Sequence, residues 1–148
     1  MKEVKYIPLD LVKADKNPNI IWKVKDVSQD KCGNILYRVV AAEDNDAFIY
    51  LYEHQIASVP LTPEILEKNG WKKKVMSRGI LNSHWVYTKP EIEEYGYFPI
   101  YIEKGIGKEF DVYPFAYNKS CTQITYIKYV HELQHLLFGL GLNSEMEV

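Results

Sequence analysis

The feature that most constrains this chain is the alternation of its first sixty residues. Over residues 20–27, Ile20, Trp22, Val24 and Asp26 fall on one side, and Ile21, Lys23, Lys25 and Val27 fall on the other. That period of two is the pattern of a strand. Cys32-Gly33-Asn34 supplies a turn, and residues 35–42 form a second strand. The polar run Glu43-Asp44-Asn45-Asp46 is another turn, and residues 47–52 form a third strand. Residues 4–9 and 56–59 read as further short strands. Strands this short are stable only when several pair, and tight turns between neighbours bend the sheet strongly. The expectation over residues 1–60 is a small antiparallel β-barrel-like region, with an SH3-like barrel as one form it can take.

Pro60-Leu61-Thr62-Pro63 breaks the alternation. Thr62 suits a helix N-cap and Pro63 the first helical position, where its missing N–H costs nothing. Ile65 and Leu66 supply an apolar face, and Asn69-Gly70 stops a helix of about two turns. Strand patterns return over 71–78, 84–88, 97–103 and 110–117. Gly105-Ile106-Gly107-Lys108 fits a hairpin turn, and its glycine spacing is not that of a phosphate loop. Glu91, Glu93 and Glu94, beside Pro90, read as a solvated turn. Residues 122–140 contain no Pro, and their first Gly is Gly139. At about 100° per residue, Tyr126, Tyr129, Val130, Leu133, Leu136, Leu137 and Leu140 share a face, which predicts a long amphipathic helix lying on the preceding strands. The chain as a whole is expected to be α+β: a β-rich region over 1–60, then helix, antiparallel strands and helix over 61–148. These two regions can also be one continuous domain.

Charge excludes one class of function. Of 148 residues, 18 are basic and 20 acidic, a net charge of −2, so bulk electrostatic capture of nucleic acid or membrane is not expected. Met1-Lys2-Glu3-Val4-Lys5 opens no apolar signal segment, and no run approaches the ~18 apolar residues of a membrane helix. Cys32 and Cys121 are the only cysteines and are expected to be reduced thiols of a cytoplasmic protein.

His131-Glu132-Leu133-Gln134-His135 is the one sharp chemical motif. On a helix, His at i and i+4 lie about 40° apart and can reach one Zn²⁺. Glu132 would then polarise the metal-bound water of a zinc hydrolase. A catalytic zinc also needs a third protein ligand. Six residues past His135 stands Gly141, and no spacing singles out His54, His84 or a carboxylate. The alternative is a helix whose Glu and His face water or a neighbouring element.

Two further surfaces stand out. Lys72-Lys73-Lys74 with Arg78 is the densest basic run, and Lys72, Lys74 and Arg78 with Trp71 or Trp85 could contact phosphates and stack on a base. On a strand, alternation splits the run between faces, and Lys on an edge strand also discourages edge pairing. Twelve Tyr residues, among them Tyr95, Tyr97, Tyr101 and Tyr113, exceed what so small a core buries easily. This favours an aromatic surface for a protein partner or for self-association.

Residues 59–71, Val-Pro-Leu-Thr-Pro-Glu-Ile-Leu-Glu-Lys-Asn-Gly-Trp, and 127–136, Ile-Lys-Tyr-Val-His-Glu-Leu-Gln-His-Leu, together resemble segments of a family of small uncharacterised proteins from Bacteroides-type bacteria and their phages. The resemblance covers roughly residues 47–148, and residues 1–46 match only in β character. It implies an accessory protein of a phage or mobile element and no particular activity. In that family the second His of the motif is often Asn, which implies a packing role for the helix. The expected function is therefore binding, to a protein partner before others. A zinc hydrolase using His131, Glu132 and His135 is the alternative, and a nucleic-acid-binding module is the third.

Overall fold

A computed structural model of the chain describes residues 3–77, 83–89, 100–105, 107, 109–114 and 125–148. The fold is α+β, built mostly of strands in two antiparallel sheets, each of five strands among the described residues, with few helices. Two compact units divide it: residues 1–60 with 129–146 and Val148, and residues 61–128 with Glu147. Among the described residues no helix is long and apolar enough to cross a membrane.

The first unit contains β1 (Leu11–Ala14), β2 (Asn17–Gln29), β3 (Ile35–Ala41), β4 (Phe48–Tyr52), a 3-10 turn (Glu53–Gln55) and β5 (Ile56–Ser58). Their order across the sheet is β4-β3-β2-β1-β5. The long strand β2 serves two partners with its two halves: Trp22 and Lys23 and the residues before them pair with β1, and Trp22 to Gln29 pair with β3. A register shift between Val24 and Asp26 bends it, and such a bulge increases twist and curls the sheet into a half-barrel. The inward side chains follow the alternation: Trp22 and Val24 on β2, Ile35, Tyr37 and Val39 on β3, and Leu51 on β4 are buried with Tyr6, Val12, Ala14 and Ile56. Turn chemistry agrees with the sequence. Asp30 accepts the N–H groups of Cys32 and Asn34 at 2.8 and 2.9 Å, and Gly33 takes the left-handed φ of 79°.

The expected strand at residues 4–9 is replaced by an irregular segment, and the strand starts at Leu11 instead. Asp10 is the cause: its carboxylate accepts the Ile7 N–H at 2.9 Å and its own N–H donates to the Ile7 carbonyl. Leu9 is thereby driven to φ 80°, left-handed backbone that non-glycine residues rarely adopt.

The second unit contains α1 (Pro63–Lys68), β6 (Lys72–Ser77), β7 (Ser83–Thr88), β8 (Ile100–Lys104), β9 (Phe110–Pro114) and β10 (Thr125–Ile127), in the sheet order β10-β9-β8-β7-β6. The start of α1 forms as its sequence dictates, with the Ile65 N–H donating to Thr62 Oγ1 at 3.3 Å. Gly70 stops it at φ 82°, and Trp71 is buried with its N–H on the Leu66 carbonyl. Lys104 stands opposite Phe110 in the antiparallel pair β8–β9, and the Gly105 N–H donates to the Glu109 carbonyl at 3.0 Å; Ile106 and Lys108 of the expected turn lie outside the described residues.

The terminal helix differs from the expectation in length and in seat. Thr125–Ile127 is strand β10, paired with β9, and only Val130–Gly139 is helical; we name this helix α2. Thr, Tyr and Ile are β-formers, so a sheet edge captures them despite their helical spacing. Residues 122–124 lie outside the described residues. α2 belongs to the first unit with β1, not to the strands of the second unit on which the sequence seats it.

Candidate functional site

α2 leaves an extended backbone at Tyr129 (φ −123°, ψ 153°). Glu132 turns back over this start and accepts the Tyr129 N–H through Oε2 at 3.1 Å. A carboxylate here satisfies one orphan donor and sits at the positive end of the helix dipole. Val130, Leu133 and Leu137 are buried on one face of α2. Gln134 lies in the same stripe, 2% exposed, and spends its whole amide on main chain. Its Oε1 accepts the Leu11 N–H at 3.0 Å, and its Nε2 donates to the carbonyls of Leu9 and Ser144 at 2.9 and 3.1 Å. It therefore ties the helix to the start of β1 and to the strained Leu9.

The two histidines do different work. His131 is 5% exposed, set edge-on to Tyr6 at 5.0 Å between ring centroids and stacked with Tyr129 at 5.8 Å. Burial holds its pKa down, at about 4; Glu132 opposes that fall, and His135 and Lys5 add to it. At neutral pH it is an uncharged packing ring, and its buried Nδ1 has no hydrogen-bond partner among the described residues. His135 is half-exposed and places Nε2 2.8 Å from Oδ2 of Asp10, a carboxylate that is 1% exposed. Burial raises the Asp10 pKa, against the lowering effect of the Ile7 N–H and of His135.

The structure brings the two expected zinc ligands together and engages the expected base elsewhere. His131 and His135 do come together, with ring centroids 5.6 Å apart and planes at 76°. Glu132, the expected base, is turned to its own helix start, and Asp10 is held by Ile7 and His135. Among the described residues no group of three His, Cys, Asp or Glu side chains is arranged to hold a metal. His54 stands in the 3-10 turn, its ring stacked on Tyr52 at 5.8 Å, and the side chain of His84 lies outside the described residues. The motif residues act together as a docking device: Glu132 starts the helix, Gln134 anchors it, His131 packs and His135 pairs. Gln134 was not singled out from the sequence. Its signal is a polar residue four after Val130, inside the apolar stripe.

Of the basic run, the lysines are among the described residues. Among the described residues β6 is the end strand of its sheet, and Lys72, Lys73 and Lys74 are exposed along it. Lys73 Nζ lies over the Trp85 ring at 5.1 Å, on the face opposite Lys72 and Lys74. Arg78 lies outside the described residues, as do Glu91, Glu93, Glu94, Tyr95, Tyr97 and Cys121. Tyr101 is buried and Tyr113 half-buried, so neither forms the expected aromatic surface.

Exposed aromatic rings occur at Trp85, Tyr126 and Phe138, and as a neighbouring pair on β4. Phe48 and Tyr50 are 54% and 55% exposed and pack edge to face, with centroids 6.0 Å apart. Strand alternation places Tyr52 on the same side. Beyond it, Tyr52, Glu53 and His54 line an open groove of about 520 Å³ with Lys5, Asn34 and Ile35. Among the described residues β4 is also the end strand of its sheet. The Ala41 N–H donates to the Ala47 carbonyl at 2.9 Å, and Val40 stands opposite Phe48. Antiparallel alternation then turns the main-chain groups of Ile49 and Leu51 toward β3 and those of Phe48, Tyr50 and Tyr52 outward. Gln55 Oε1 takes the Tyr52 N–H at 2.9 Å.

Among the described residues the other sheet edges are guarded. β5 and β10 are three residues long, and β6 carries three consecutive lysines. Shortness and lysine are the usual ways of blunting an edge. β4 has neither: Phe-Ile-Tyr-Leu-Tyr runs five residues without a charge.

The chain matches no known protein family, no curated protein and no solved structure.

Proposed function

We propose that the protein acts by binding another protein chain through the edge of β4, as an accessory protein of the phage or mobile-element kind that its sequence resembles. The observation that carries this reading is the unguarded edge: five uncharged residues with two exposed aromatic rings on one face, in a molecule whose other described edges are short or lysine-rich. A partner strand added there gains main-chain hydrogen bonds, and the rings of Phe48 and Tyr50 select its side chains. An SH3-like barrel is the finer fold we assign to the first unit. The order β4-β3-β2-β1-β5, with a 3-10 turn between β4 and β5, supports it.

The test compares baits. Wild-type protein and a Glu132→Gln variant should retain the same partner, and Tyr50→Lys should lose it. Tyr50 is more than half exposed, so its replacement leaves the core intact. Equal retention by Tyr50→Lys would sink the β4 reading, and loss in Glu132→Gln alone would return attention to the helix motif.

A further inference from the structure

We infer that the segment which pairs with β4 is a short, basic-ended strand of another protein: alternating apolar residues against the rings, then Lys or Arg where the segment runs past Phe48. This deepens the β4 reading and rests on it. The edge offers a limited length. The main-chain groups of Phe48 and Tyr50 face outward, but the Tyr52 N–H is held by Gln55 Oε1 at 2.9 Å, and the chain leaves the strand at Glu53 for a 3-10 turn. An added strand therefore bonds to Phe48 and Tyr50 in full, gains at most the Tyr52 carbonyl, and pairs no further. Main-chain bonds give affinity and no choice of sequence, so the side chains and charges beside them select the segment.

Residues directly opposite on neighbouring strands share a face, so the register gives what an added strand meets row by row. Phe48 stands beside Val40 and then Lys23, Tyr50 beside Arg38 and then Asp26, and Tyr52 beside Leu36 and then Ser28. Arg38 is spent on Asp26, whose Oδ2 accepts its Nε–H at 2.7 Å. Lys23 lies two strands inward of Phe48, so an added strand is three strand spacings, about 14 Å, from it. That exceeds the screening length of about 8 Å at physiological salt. The rows thus present rings and no free charge close by. The Phe48 end of the strand differs. Glu43, Asp44 and Asp46 are all exposed in the turn that the Ala41 N–H closes on the Ala47 carbonyl, and none of them is in an ion pair among the described residues. Asp46 is two residues from Phe48, at most about 7 Å along the chain. At the Tyr52 end, Lys5 and Glu53, of opposite sign, line the groove with His54. The field along β4 is one-sided, negative at Phe48 and balanced at Tyr52, and a complementary segment carries its cations at the Phe48 end.

The test is titration of the isotopically labelled full chain with synthetic peptides, read by the amide shifts of Phe48 and Tyr50 up to about 1 mM, so that weak affinities register. Each peptide has blocked termini and the core Thr-Val-Thr-Val-Thr, with a pair of Lys or a pair of Glu placed before or after it. One of the two Lys-ended peptides should bind at least about tenfold tighter than either Glu-ended peptide, equivalent to about 1.4 kcal/mol. The gap should close as ionic strength rises from about 0.01 M to about 1 M, where the Debye length falls from about 30 Å to about 3 Å; this is read on wild type and needs no variant. The end that carries Lys in the tighter peptide gives the direction of the added strand. Glu43→Lys together with Asp46→Lys should reverse the preference. It leaves in place Asp44, whose Oδ1 accepts the Asp46 N–H at 3.1 Å, and circular dichroism checks that the double variant folds. Peptides of both signs that bind equally, a gap that salt does not close, or a preference that survives in the folded double variant overturns the inference and leaves docking at β4 standing. No shift at Phe48 and Tyr50 with any peptide, or unchanged binding by Tyr50→Lys, overturns the β4 reading with it.

Discussion

Replacing Gln134 by Met tests whether the terminal helix is held by its motif. Met keeps the length of the side chain and deletes its polar end. Three hydrogen bonds disappear: one from the Leu11 N–H and two to the carbonyls of Leu9 and Ser144. The three groups are not equivalent. Leu11 is 2% exposed, whereas Leu9 is 40% exposed. The Leu11 N–H is stranded away from water and costs about 1–3 kcal/mol, and the two carbonyls recover part of their hydration and add about 1 kcal/mol between them. The expected loss is about 3 kcal/mol in the first unit. With a urea slope of about 1.5 kcal/mol/M, the midpoint moves down by about 2 M. Because the chain has two units, a global probe would mix them. A background with Trp71→Phe and Trp85→Phe leaves Trp22, in β2, as the only tryptophan, and its fluorescence then reports on the first unit. Gln134→Glu extends the test: its carboxylate still accepts the Leu11 N–H but confronts two carbonyls, so it should be worse than Met at pH 7 and recover toward pH 4. A loss below about 0.5 kcal/mol for Gln134→Met, smaller than a typical surface change, would refute the anchoring role.

Two further expectations follow from the same residues. His131 is held at a pKa of about 4 by burial, so the unfolded chain takes up a proton near 6.5 that the native chain refuses. The first unit should therefore lose up to about 3 kcal/mol between pH 6.5 and pH 4, with Asp10, whose pKa burial raises, making the loss shallower at the acid end. Urea titrations across that range check it, and His131→Phe should flatten the slope; an unchanged slope in that variant would contradict the assignment. Untagged protein purified without chelator should carry no stoichiometric zinc by elemental analysis, and His135→Asn should change nothing, whereas stoichiometric zinc lost in His135→Asn would contradict the docking account of the motif.

How far the sequence carries the fold depends on which interactions decide each element. β2, β3, β4 and β5 are legible because alternation and turn residues are local signals, and Asp30 and Gly33 act within the segment they shape. α1 is legible for the same reason, since Thr62, Pro63 and Gly70 cap their own helix. Residues 4–9 mislead because their β-forming side chains are overruled by Asp10, whose carboxylate closes a turn onto Ile7. Residues 125–127 mislead because helical spacing says nothing about an available sheet edge; the pairing of Tyr126 with Asp111 is decided far away in sequence. Tyr126, counted on the apolar face of a long helix, is instead 59% exposed.

The site divides in the same way. The spacing of His131 and His135 correctly brings two rings together, but spacing cannot show that Glu132 is committed to the Tyr129 N–H or that Asp10 waits beneath His135. Gln134 escapes notice because its three partners are main-chain atoms that no residue pattern marks. The β4 edge escapes because Phe-Ile-Tyr-Leu-Tyr reads as an ordinary strand. Only the sheet order shows that it lies at an end, and only comparison with the lysines of β6 shows that it is unguarded.

The most direct measurement on the central claim is residue-resolved amide exchange of the free and the partner-bound protein. The account predicts that the amides of Phe48 and Tyr50, which face outward, exchange freely in the free chain and become protected on binding. Those of Ile49 and Leu51, already bonded to β3, should be protected in both states. Binding that leaves the Phe48 and Tyr50 amides as exposed as before, or that protects residues 131–135 instead, would contradict it.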